Sequence, residues 1–115
     1  MKSMLIVDDS ITSRMMLKSI VAKQHPNWTL CEAANGDEAL SEAAKQTFDI
    51  ITVDYNMPGM DGLTLVPLLQ EKMPGARIAL LTANIQDYIQ AEADNLGIPI
   101  IHKPITPAKV LDYVG

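Results

Sequence analysis

Phe48-Asp49-Ile50-Ile51-Thr52-Val53-Asp54-Tyr55-Asn56-Met57-Pro58-Gly59-Met60-Asp61-Gly62 is the stretch from which the fold can be read. The run from Phe48 to Val53 is almost continuously apolar, with several β-branched residues. That pattern belongs to a strand covered on both faces, and such strands occur in parallel sheets flanked by helices. The run stops at an acid, Asp54, and a Pro- and Gly-rich loop follows. A central buried strand that opens onto a polar loop at its carboxyl end is the repeating unit of an α/β sheet.

The same rhythm recurs on either side. Upstream, Met4–Val7 is an apolar run ending at Asp8-Asp9, and Ser10 can cap a helix whose apolar face would use Ile11, Met15, Ile20 and Val21. Pro26-Asn27 ends that helix, and residues 28–33 read as a second strand. Asn35-Gly36-Asp37 is a turn and cap before a helix over 38–46 with Ala39, Leu40 and Ala43 inward. Downstream, residues 63–73 read as a helix containing Pro67, and Ile78–Leu81 as a strand ending at Thr82-Ala83. A helix over 85–95, a short strand over 98–101 ending before Lys103-Pro104, and a last helix over 107–114 complete the chain. The peptide bond before Pro104 is open to either isomer. Five strands alternating with five helices predict βαβ units, a five-stranded parallel sheet and helices on both of its faces.

Composition narrows the function. The 115 residues suit one domain, taken as 1–115. The net charge of −5, from 9 Lys+Arg against 14 Asp+Glu, argues against a nucleic-acid surface, which needs clustered basic residues. No stretch is long and apolar enough for a membrane helix, and acid appears too early for a signal peptide. Cys31 is the only cysteine, which favours a reducing, cytoplasmic setting.

Open α/β sheets bind ligands beyond the carboxyl ends of their strands. The residues there are Asp8 and Asp9, Asp54, Thr82 and Lys103. Three carboxylates, a hydroxyl and an ammonium would share one cleft. Clustered carboxylates raise one another's pKa unless a cation offsets them. Oxygen ligands without His or Cys select Mg²⁺ or Mn²⁺ over zinc. With such an ion, one Asp can act as nucleophile towards a phosphoryl group, while Lys103 balances charge and Thr82 hydrogen-bonds a phosphoryl oxygen. A single Asp at a strand end is more often a cap or turn residue, and Thr82 or Lys103 alone would be unremarked. Chance caps, however, do not supply a matching lysine.

These residues resemble the receiver domain of two-component response regulators, the CheY-like family. The resemblance runs from about Lys2 to Val114 and rests on Asp8-Asp9, the block Val53–Gly62, Thr82-Ala83 and Lys103-Pro104. It implies a flavodoxin-like strand order, 2-1-3-4-5. It implies Asp54 as phosphoacceptor, with Mg²⁺ bound by the side chains of Asp9 and Asp54, by the Asn56 carbonyl, and by Asp8 through water or in support. Thr82 and Lys103 would contact the phosphoryl group and carry the switch. The implied donor is a histidine kinase or a histidine phosphotransfer protein. The implied output partner binds the face formed by the fourth helix, fifth strand and fifth helix. The domain would signal rather than catalyse, beyond self-phosphorylation from a donor and slow self-dephosphorylation. Chemotaxis, adaptor and phosphate-sink roles all fit.

One position departs from the family. An aromatic usually stands three residues before the lysine, and here that residue is Ile100. His102 beside Lys103 reads as structural or surface, and Trp28 as packing. Three rival readings are weaker on the residues. A haloacid-dehalogenase-type phosphatase needs an acid where Asn56 stands. A flavin site at Ser10-Ile11-Thr12-Ser13 would lack glycine and face two acids. A phosphorylation-independent pseudo-receiver would have little use for the intact acid set.

Overall fold

The computed structural model describes residues 2–115. Five strands and five helices alternate: β1 (Ser3–Val7), α1 (Ile11–Gln24), β2 (Thr29–Ala33), α2 (Gly36–Lys45), β3 (Ile50–Asp54), α3 (Gly62–Lys72), β4 (Arg77–Thr82), α4 (Asp87–Leu96), β5 (Ile100–His102) and α5 (Pro107–Val114). The strands form one parallel sheet in the order β2-β1-β3-β4-β5, as the resemblance implied.

Alternation along each strand divides the core between the two sheet faces. Leu5, Val7, Ile51, Val53, Ile78 and Leu80 pack against α2, α3 and α4 through Ala39, Leu65, Leu69, Ile89 and Ala93. Met4, Ile6, Ile50, Ala79, Leu81 and Ile101 pack against α1 and α5 through Leu17, Val21, Val110 and Val114. The central strand β3 is buried along its whole length, consistent with its unbroken apolar run.

Caps set the helix starts. Ser10 accepts from Ser13 N, Asn35 from Glu38 N, Asp61 from Thr64 N and Thr106 from Lys109 N. Helix α4 starts two residues later than predicted, which leaves Ile85 in the preceding loop and 83% exposed. It stops at Gly97, whose left-handed φ of 72° suits a residue without Cβ. Pro67 sits inside α3, where its ring nitrogen gives up one hydrogen bond to the Leu63 carbonyl.

The face expected for α1 needs correction. Ile11 and Met15 are 65% and 63% exposed, and the residues that reach the sheet are Leu17 and Val21, with Ile20 partly buried beside them. The buried stripe runs i, i+3, i+7 through Arg14, Leu17 and Val21. Ile20 and Val21 face the core as expected, but a charged residue occupies the first turn of the stripe, so apolarity alone misplaced its N-terminal half.

Candidate functional site

The strand ends meet as the topology requires. β1, β3 and β4 are in register, so Val7, Val53 and Leu80 align, and the residues after them emerge side by side. Asp8, Asp9 and Asp54 each offer a carboxylate oxygen within 4.8 Å of the others. Asp8 is 1% exposed, Asp54 3% and Thr82 4%, whereas Asp9 lies at the surface. Lys103 Nζ stands 2.7 Å from Asp54 Oδ1 and 3.9 Å from Asp8 Oδ2. A cavity of about 290 Å³ opens beside them, lined by Asp54, Tyr55, Asn56, Thr82, Ala83, Asn84 and Lys103.

Each group is held by its own backbone. Tyr55 N donates to Leu81 O (2.9 Å), which ties the residue after Asp54 to β4. Lys103 N donates to Thr82 O (3.0 Å), so the hydroxyl and the ammonium are joined through main chain. Lys109 Nζ donates to the carbonyls of His102 and Pro104, at 3.0 and 3.2 Å, and so brackets Lys103 from both sides. The Lys103–Pro104 bond is cis. Thr82 Oγ1 accepts from Asn84 N at 3.0 Å, which leaves its hydroxyl proton available to a ligand. Asn56 is exposed in the loop after β3.

Burial dominates the electrostatics. Both Asp8 and Asp54 are pushed above the ordinary carboxylate value by desolvation. For Asp54 the hydrogen bond from Lys103 pulls the other way, and the neighbouring Asp8 charge adds to the rise. Burial would lower Lys103, but its bond to Asp54 and the nearby acids outweigh burial and hold it above its usual value. Asp8 Oδ1 accepts from Ser10 N at 2.9 Å, while Asp8 Oδ2 is buried with no hydrogen-bond partner among the described residues. A buried carboxylate oxygen without a hydrogen bond, beside two further carboxylates, is an arrangement that could hold a cation. The ligand set is all oxygen, which fits a hard divalent ion.

Sequence reading missed the residues that fix this arrangement, namely Arg14, Glu32, Lys109 and Asn84. Only Asn84 carried a local signal, since it lies two residues past Thr82. The others act across elements. His102 is exposed and no part of the site, and Trp28 stacks on His25 at a ring separation of 3.9 Å in the partly buried fringe of the core. Ser10 is spent on capping α1, which leaves no phosphate loop for a flavin.

Comparison with known proteins gives the same picture. The family model for the response regulator receiver domain matches residues 4–115. The chain is 36% identical over 115 residues to the chemotaxis protein CheY of Thermotoga maritima, covering 99% of this chain and 95% of that protein. Among solved structures it superposes on the chemotaxis protein CheY4 of Vibrio cholerae with a TM-score of 0.88 at 32% identity, covering 99% and 96% of the two chains. A response regulator from Burkholderia pseudomallei, solved with a phosphorylated aspartic acid, a calcium ion and citrate, gives 0.88 at 28% identity, covering 100% of this chain and 67% of that one. The chain belongs to the response regulator receiver domain family, and its work is phosphoacceptor signal transduction.

Proposed function

We propose that Asp54 is the phosphoacceptor, that Asp8, Asp9, Asp54 and the Asn56 carbonyl hold Mg²⁺ (or Mn²⁺), and that Thr82 and Lys103 bind the incoming group. The observation that carries this reading is the buried Asp8 Oδ2, which accepts no hydrogen bond from the described residues, beside an Asp54–Lys103 contact of 2.7 Å. The chain acts as one receiver unit over 1–115 in the cytoplasm. The donor is a phosphohistidine on a kinase or phosphotransfer protein, and the output partner meets the α4–β5–α5 face.

The residues divide the chemistry among themselves. Asp54 is presented at a strand end with its backbone fixed, so one carboxylate oxygen can attack the phosphorus while the donor's nitrogen leaves. Lys103 neutralises charge on the transferred group, and the Thr82 hydroxyl donates to one of its oxygens. When bound, a divalent cation would offset the clustered carboxylates and polarise the phosphoryl oxygens. Ile100 is aliphatic and partly buried against the core, so no aromatic hydroxyl follows Thr82 inward. The switch is then carried by the Thr82–Lys103 main-chain link and by the loop leading into α4.

Incubation with Mg²⁺ and acetyl phosphate is expected to add one phosphoryl group by intact mass, with none added in EDTA. Equal uptake with and without the metal overturns the reading. Capturing partners with and without beryllofluoride then identifies the output protein.

A pH dependence follows. Because folding raises the carboxyls of Asp8 and Asp54, the folded state holds protons the unfolded chain has released. Their contribution to metal-free stability is therefore greatest below the ordinary value of 3.8 and declines as pH rises through the raised values. Mg²⁺ needs the ionised forms, so its effect runs the opposite way. At tenfold its dissociation constant it adds about 1.4 kcal/mol at pH 8. That increment shrinks towards zero as the pH falls to the carboxyl range. Calorimetric melting with and without Mg²⁺ across pH reads both slopes, and a metal increment independent of pH contradicts the assignment.

A further inference from the structure

Asp8 is fixed at three of its four polar main-chain and side-chain atoms. Its N–H donates to Ala33 O on β2 at 3.0 Å, its Oδ1 accepts from Ser10 N, and its carbonyl accepts from Arg14 Nη1 at 2.6 Å. The fourth, Oδ2, has no hydrogen-bond partner among the described residues. Arg14 is itself held. Its Nε donates to Glu32 Oε1 at 3.0 Å, and Lys18 Nζ occupies the other oxygen, Oε2, at 3.0 Å. The Arg14 side chain is only 13% exposed, and Glu32 is a third exposed. Arg14 lies on the buried stripe of α1 with Leu17 and Val21, and Glu32 pairs in register with Ile6 of β1. The planar guanidinium thus links the first turn of α1, the edge strand β2 and the carbonyl between the two acids Asp8 and Asp9.

We propose that Arg14, oriented by Glu32, is a positioning residue for the metal site: it clamps the Asp8 carbonyl and so turns Asp8 Oδ2 towards the cation. The inference rests on the metal reading above. A lysine cannot replace it, since one ammonium on a flexible stem does not supply two divergent donors in a fixed plane. The geometry also separates two roles by sign. As a bare positive charge, Arg14 repels Mg²⁺, and removing it strengthens binding. As a clamp, it favours binding, and removing it weakens binding.

The test is Mg²⁺ titration by isothermal calorimetry at pH 8 on the wild type, Arg14→Met and Arg14→Lys, with metal-free melting and circular dichroism alongside. Removing an outer-shell partner typically costs 10- to 100-fold in metal affinity, so Arg14→Met is expected to weaken binding about tenfold. Arg14→Lys, which loses the two-donor clamp but keeps the repelling charge, is expected to weaken binding at least as much as Arg14→Met. Affinity unchanged or increased in Arg14→Met, whatever its melting temperature, overturns the proposal. Should Arg14→Met fail to fold, wild-type affinity in Arg14→Lys overturns it equally. A wild type that binds no Mg²⁺ instead removes the metal reading itself.

Discussion

Asp54→Asn is expected to reduce phosphoryl uptake from acetyl phosphate to background, a loss on the order of 10³-fold or more, the scale seen when a nucleophile is removed. The amide is close in size to the carboxylate but is not a nucleophile towards phosphorus under these conditions. Asp8 does not substitute, because one of its oxygens is committed to Ser10 N and the other is enclosed. Asp9 is exposed but does not line the cavity with Thr82 and Lys103. The same variant carries an opposite effect on stability. Burial and the neighbouring Asp8 charge both disfavour the ionised form of Asp54. The neutral amide relieves both, and Lys103 keeps Asp8 within ion-pair distance. Asp54→Asn should therefore melt higher than wild type without metal, and gain less from added Mg²⁺. Intact mass and metal-free calorimetry read the two effects separately. Undiminished uptake in Asp54→Asn means that another residue is the acceptor.

The second large effect is structural and lies beneath the acceptor. A Cβ at Gly62 would stand 2.6 Å from Asp54 O, 2.8 Å from Leu80 Cδ1 and 2.9 Å from Tyr55 Cα. Two of the three atoms are backbone and cannot swing aside. Gly62 N also donates to Tyr55 O at 2.9 Å, so the first turn of α3 is seated directly on the strand end. Gly62→Ala is expected to cost about 3 kcal/mol, at the upper end for overpacking, because relief requires moving β3 or lifting α3. For a chain this size that is roughly 10 °C in melting temperature. Any relief by moving Asp54 should also slow phosphoryl uptake. Gly36→Ala is the control. Its Cβ meets only the Met60 side chain, with Sδ at 3.0 Å, and a thioether can rotate away. The expected change there is within about 1 kcal/mol. If both substitutions melt alike, close approach at Gly62 is not what the glycine is for.

Most of the fold was legible in the chain because its strongest signals are local. The apolar run of β3 needs cover on both faces, and the alternation of short apolar runs with amphipathic segments requires crossovers. The caps at Ser10 and Asn35 are short-range side-chain to main-chain bonds, which a sequence displays directly. α1 resisted this reading. Its stripe begins with Arg14, and a charge on a buried face is intelligible only once Glu32 and the Asp8 carbonyl are seen beside it.

By itself the sequence determined the elements, the parallel sheet and the placing of Asp8, Asp9, Asp54, Thr82 and Lys103 at strand ends, since a strand that ends in a polar residue must deliver it to the sheet's edge. Tertiary structure decided the rest. It brought Lys103 to 2.7 Å from Asp54, left Asp8 Oδ2 buried without a hydrogen-bond partner among the described residues, seated Gly62 against the acceptor's carbonyl and set Arg14 across α1 and β2. Each of those depends on distances between different elements of the fold. Such distances are fixed by packing density and by the register of neighbouring strands, which no local pattern encodes.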